Sequence, residues 1–274
     1  MSIRNIKVEE QQSEKKKESV QRSLDRPTAD EIYEQVSRNA KKELARPNIA
    51  LAVSGIVGGL TMGLTGLSVS VISATLGHSP AATFVALFFY PMGFMAVILG
   101  RGQLFTENTL YPVALALTER RHILGTLRLW SVVFPTNVLG ALLFALLAVK
   151  TGALRPEFIT ALASLGVEAL QPTPGHIYWS GVVGGWIIAM VAWMVSGSHS
   201  ITGSVLVIWS MTFIVGIGHF AHCVATSGEI LAAVLSGQAG AAQYFHWLLF
   251  ATLGNITGGV ILVTLLEYGQ VKLD

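Results

Sequence analysis

The chain has 274 residues, 52% of them hydrophobic and only 12% charged, with a formal net charge of +2. Soluble domains carry about a quarter charged residues. Here the charges also crowd at one end: residues 1–46 hold 11 Lys/Arg and 9 Asp/Glu, leaving 6 of each in the 225 residues from Pro47 to Val271. That distribution excludes a soluble globule, a nucleic-acid binder and a secreted disulfide scaffold, and predicts an all-α integral membrane protein. The lone cysteine, Cys223, leaves no internal disulfide and no multi-thiolate metal site.

Residues 1–26 are polar and charge-dense and are predicted to be a disordered cytoplasmic tail. Residues 27–46 carry a helix start at Pro27-Thr28-Ala29-Asp30-Glu31, followed by Ile32, Val36, Ala40 and Leu44 at four-residue spacing. This predicts an amphipathic N-terminal helix lying on the membrane or against the bundle; a solvated charged helix is the alternative. Residues 47–268 then form the membrane domain, and 269–274 a cytoplasmic C-terminal tail.

The apolar remainder divides into six segments, at about 49–77, 81–118, 124–150, 176–197, 201–236 and 246–267, each judged against the ~20 residues that a spanning helix needs. The second and fifth are too long for one straight span, and polar stretches interrupt them: GRGQLFTEN at 100–108 and GHFAHCVATSGE at 218–229. Backbone that leaves the helix inside a bilayer survives only where protein or a wet cavity satisfies it. Both segments are therefore expected to be broken helices whose breaks meet near the bundle centre. Basic residues load the N-terminal segment and the second connection (Arg120, Arg121, Arg128), while the first and fifth connections carry none. An even number of spans with both termini cytoplasmic fits that bias.

An internal repeat follows. Asn137-Val-Leu-Gly-Ala and Asn255-Ile-Thr-Gly-Gly lie 118 residues apart, and the same shift carries Leu104 at the first break onto His222 at the second. Three spans per copy would invert the second copy, giving two inverted three-helix repeats with paired broken helices, an architecture of transporters and channels.

The breaks supply the chemistry. Thr106 is expected to cap the half-helix after the first break, aiming backbone N–H groups and a partial positive charge at the centre, where a small anion would be attracted. Glu107 and Arg101 are read as a structural ion pair. His219 and His222 sit at the second break, and ionisable residues within a membrane usually face a pathway. No third ligand completes a metal site, and Glu229 is read as a packing or capping partner. Neither a phosphate loop nor a nucleophile elbow is present, so no enzyme and no cofactor is expected.

GQLFTENT at 102–109, HCVAT at 222–226 and the two Asn-x-x-Gly motifs together resemble the formate/nitrite transporter family. The resemblance implies a homopentamer of aquaporin-like protomers in the inner membrane, each with its own pore for a small monovalent anion or its weak acid. It also implies that His222 is a central pore histidine, Thr106 the threonine facing it and Asn255 a pore-chamber asparagine. Leu104 and Phe105 would belong to the loop motif, and Phe94 and Val215 to two apolar constrictions, with His219 nearby. Ala221 stands where the family commonly has an acidic residue, and only His176 lies near the place of its vestibule lysine. The alternatives are an aquaporin-like neutral-solute channel and a membrane scaffold or sensor.

Overall fold

A computed structural model describes residues 27–77 and 79–273; the expected tail at 1–26 lies outside the described residues. Among the described residues the regular elements are all helices. Helix α1 (Ala29–Leu44) starts at a capping box, with the Thr28 hydroxyl accepting from the Glu31 N–H while the Glu31 carboxylate accepts from the Thr28 N–H. Its buried stripe is Tyr33, Val36 and Ala40. Helix α2 (Asn48–Leu76) is the first span. Helices α3 (Pro80–Phe88) and α4 (Met92–Leu99) form the second, bent at Pro91, whose ring cannot continue a helical ladder. The chain then leaves the helix, passes a 3₁₀ turn at Glu107–Thr109 and resumes as the half-helix α5 (Tyr111–Glu119).

Helix α6 (Ile123–Lys150) spans again, and a short α7 (Pro156–Ala169) follows. Helix α8 (Pro174–Gly197) is the fourth span, and α9 (Ile201–Ile217) with half-helix α10 (Ala225–Leu235) makes up the fifth. The last run starts with α11 (Ala241–Thr257), widens to a π-helical stretch at Gly258–Leu265, and ends as α12 (Leu266–Leu273). Five runs are long and apolar enough to cross a bilayer; the broken α9–α10 segment consists of two shorter apolar helices. The chain is a multi-pass membrane protein, and both interruptions fall where the sequence places them. The second ends earlier than expected, at Val224.

Packing repeats across the two halves. Helix α2 packs most extensively on α6, and α8 on α11; α1 lies on half-helix α5, and α7 on half-helix α10. Helix α7 is thus the counterpart of the amphipathic N-terminal helix, an element the segment reading passes over. Close approach of the spans needs glycine. A Cβ on Gly59 would strike the Asn137 carbonyl, and one on Gly185 would strike the Asn255 carbonyl. Small residues at such crossings let backbones touch where lipid offers no hydrophobic drive for helix association.

Helix α1 is latched to α5 by two devices. The Tyr33 hydroxyl donates to the Ala114 carbonyl at 2.7 Å. Glu119, at the end of α5, gathers Lys41 of α1 at 2.7 Å, Arg121 at 2.6 Å and His122 at 2.9 Å. Hydrogen bonds from Lys41, then His122, then Arg121 hold its carboxyl down at about 2. A depressed carboxyl stabilises the docked helix at any pH above the ordinary carboxylate range and loses that effect as pH falls from about 4.5 toward 2. Hydrogen exchange in α1 is therefore expected to quicken over that acidic window ahead of exchange in the spans, and Glu119→Gln to reproduce the effect at pH 7. Unchanged α1 protection in Glu119→Gln would show that the latch contributes nothing.

Candidate functional site

Each break begins with the same local geometry. Gly100 and Gly218 end the incoming helices, and the next residues, Arg101 and His219, take the left-handed conformation with φ of 59° and 50°. The following N–H groups, of Gly102 and Phe220, return to the carbonyls of Val97 and Val215, both at 3.0 Å. Left-handed backbone costs a residue with a Cβ on the order of 1–2 kcal/mol, and the two halves spend it at equivalent positions. His219 is an exposed helix-terminating residue, apart from His222. Its counterpart Arg101 makes no ion pair with Glu107, contrary to the expected pairing.

Two buried asparagines then hold the loops. Asn137 Oδ1 accepts from the Phe105 N–H at 2.8 Å, while its Nδ2 donates to the carbonyls of Gly55 at 2.7 Å and Gln103 at 2.8 Å. Asn255 Oδ1 accepts from the Cys223 N–H at 2.9 Å, and its Nδ2 donates to Gly181 at 2.8 Å and Ala221 at 2.9 Å. Both asparagines are fully buried. One amide thus satisfies two backbone groups of each loop and ties them to a carbonyl of the neighbouring span, meeting the requirement that a bilayer places on non-helical chain. Asn255 is engaged wholly with backbone.

The loops bring Thr106 and His222 together. Thr106 Oγ1 lies 2.8 Å from His222 Nε2, and both residues are 0% exposed. His222 Nδ1 accepts the Ala225 N–H at 3.0 Å, capping the first turn of α10. With Nδ1 occupied as an acceptor, the neutral imidazole carries its proton on Nε2 and donates it to Thr106 Oγ1. That leaves the threonine hydroxyl proton free to donate elsewhere. Thr106 therefore does not cap a half-helix: its side chain makes no cap hydrogen bond, and α5 starts five residues later without one. Either side of the clamped residues, the N–H groups of Leu104 and Thr106 in one loop, and of His222 and Val224 in the other, make no hydrogen bond among the described residues.

Phe94 stands edge-on to His222, with ring centroids 5.0 Å apart. Val215 is fully buried and faces a cavity of about 190 Å³ that opens between α7, α8 and the end of α9. Leu104 is buried in the loop, whereas the Phe105 ring packs on Phe134 at 4.8 Å and Trp130 at 5.6 Å. Phe105 anchors the first loop to α6. Gln103 bonds the Asn108 amide at 2.9 Å, and Trp130 Nε1 donates to the Asn108 carbonyl at 2.9 Å. Sequence reasoning missed Asn108 and Trp130 as loop supports. It also missed Tyr90 and Thr226 on the cavity wall, which nothing in the local pattern marks.

The formate/nitrite transporter model matches residues 30–269. The chain is similar to the inner membrane protein YfdC of Escherichia coli (strain K12), with 30% identity over 89% of this chain and 79% of the relative. It is also 32% identical to a probable formate transporter of Methanothermobacter thermautotrophicus, over 65% of this chain and 72% of that one. Among solved structures it resembles an FNT family ion channel (TM-score 0.79, 19% identity, covering 87% and 98% of the two chains). It also resembles a pentameric formate channel with formate bound (TM-score 0.71, 18% identity, 83% and 98%).

Removing either asparagine amide would strand two buried loop groups, an N–H and a carbonyl, at about 1–3 kcal/mol each. Asn137→Ala and Asn255→Ala are each expected to lower the unfolding temperature in detergent by on the order of 5–10 °C, by similar amounts. A shift below 2 °C in either variant would show that the loops hold without the clamp.

Proposed function

Because the chain belongs to the formate/nitrite transporter family, we propose that it passes a small monovalent anion, or its conjugate weak acid, across the inner membrane. The path runs between the two breaks, past Thr106 and His222, with Phe94 and Val215 as its apolar constrictions. The observation that carries this reading is the buried Thr106–His222 hydrogen bond where both loops converge. A dehydrated anion entering an apolar ring loses hydration worth several kcal/mol or more. Four backbone N–H groups without protein acceptors, a free threonine hydroxyl proton and the N-termini of two half-helices supply donors to offset that loss. His222, with Nε2 as its donor, tunes the threonine hydroxyl toward the passing oxygen. Leu104 shapes the passage, while Asn255 and Phe105 act on it through the loops they hold. His219 belongs to the rim of the vestibule.

The pentamer of the structural relative supports a homopentamer here, with the exposed apolar side chains of α2, α6 and α8 facing lipid or neighbouring protomers. The basic N-terminal segment supports cytoplasmic termini. In proteoliposomes, His222→Ala is expected to lower formate or nitrite uptake at least tenfold. Thr106→Val, which keeps shape and removes the hydroxyl, is expected to lower uptake severalfold. Unaltered uptake in His222→Ala would overturn this role. A second reading, a neutral-solute channel, is favoured by a vestibule lined by two carboxyl groups and, among the described residues, no lysine or arginine; glycerol permeation without anion flux would select it.

A further inference from the structure

The cavity beyond Val215 is lined by Tyr90, Thr226 and Glu229, among other residues. All three are 8% exposed, and none of their side-chain polar atoms makes a hydrogen bond or ion pair among the described residues. Three polar groups without a protein partner on one cavity wall take their hydrogen bonds from the water or ligand that fills the cavity. The volume, about 190 Å³, holds several waters or a small organic acid. Thr226 and Glu229 lie one turn apart on α10, the half-helix that His222 caps. Thr226 is thus one turn along from His222, its N–H donating to the His222 carbonyl at 3.1 Å, and Glu229 is one turn further.

The charged and titratable groups around Glu229 offer no salt bridge. Helix α7 presents Glu168, α8 presents His176 and the second loop presents His219, all at the cavity wall. Tyr244 of α11 is bonded to Ser227 at 3.0 Å. Lys150 of α6 spends its ammonium on the Leu235 carbonyl at 2.8 Å. Helix α2 contributes no ionisable side chain. Among the described residues no lysine or arginine lines the wall to hold an anion; a carboxyl group that can pair with a carboxyl is present.

We propose that Tyr90, Thr226 and Glu229 form a docking site for a small weak acid and that Glu229 exchanges a proton with it before it reaches Val215. This rests on the passage proposed above. The incoming carboxylate accepts hydrogen bonds from the Tyr90 and Thr226 hydroxyls and from the protonated Glu229 carboxyl. The Glu229 O–H bond then breaks as an O–H bond forms on the substrate, so the acid continues uncharged and the negative charge stays on Glu229. A proton from vestibule water restores the carboxyl. Transport is thereby coupled to one proton, and anions of strong acids, which cannot take that proton, are excluded.

The test compares formate with nitrate uptake in proteoliposomes at pH 7, where a simple carboxylic acid is almost wholly ionised. The unaltered chain is expected to carry formate at least tenfold faster than nitrate, and Glu229→Gln to bring formate down to the nitrate rate, with Glu168→Gln within twofold of the unaltered chain. Formate uptake in Glu229→Gln equal to that of the unaltered chain overturns the exchange site while leaving the passage intact. Equal formate and nitrate rates in the unaltered chain overturn the weak-acid reading itself. Should Glu229→Gln fail to assemble, an apolar carbodiimide, which modifies protonated carboxyls, is expected to label Glu229 in the unaltered chain and formate to slow the labelling at least threefold. No label on Glu229 by mass spectrometry overturns the proposal.

Discussion

Backbone that leaves the helix inside a bilayer must find its hydrogen bonds within the protein, and the structure answers that constraint twice with one amide. Asn137 and Asn255 each bind one N–H and two carbonyls of a re-entrant loop and of the first span of its own repeat. The glycines opposite them follow from the same demand. Gly59 and Gly185 sit where any Cβ would collide with the asparagine backbone, so the clamp can form only if those two positions carry no side chain. Fold and site are coupled at these crossings. The loops are held where they are because spans pack closely, and the spans pack closely around the loops.

From that shared frame the two halves diverge in chemistry. The position of Leu104 in the first loop is taken by His222 in the second, and the imidazole is satisfied on both nitrogens, by the Ala225 N–H and by Thr106. A symmetric scaffold therefore presents an asymmetric centre. The same divergence marks the loop entrances, where Arg101 and His219 share one left-handed conformation and differ in side chain. It also marks the half-helices, where Tyr111 occupies the place that Glu229 holds in the second copy. Loop geometry is common to both halves, and the proposed selectivity resides in what each half adds to it.

Much of this was legible in the amino-acid order because a membrane makes polar residues conspicuous. The Asn-x-x-Gly pair and the two polar interruptions announced the repeat, and His222 and Thr106 fell within them. The roles inside the interruptions were less legible. A threonine before an acidic residue reads locally as a helix cap, yet Thr106 reaches a residue 116 positions away. A second histidine three residues from the first reads as its partner, although the left-handed turn at His219 sends it to the surface. Helix α7 escaped notice because its 14 residues, opened by Pro156, fall short of a span. Glu229 reads as a packing partner and does lie against Gly66, and only the structure shows that its carboxyl has no bonding partner among the described residues.

The central claim is that the two clamped loops present one neutral imidazole, oriented by the Ala225 N–H and donating to Thr106. Nitrogen-15 magnetic resonance of histidine-labelled protein in bilayers at pH 7, with His222 assigned by its absence from His222→Ala, measures that directly. The account predicts a neutral ring with the proton on Nε2 and the Nδ1 resonance shifted by hydrogen bonding. A ring protonated on Nδ1, or on both nitrogens, would contradict it.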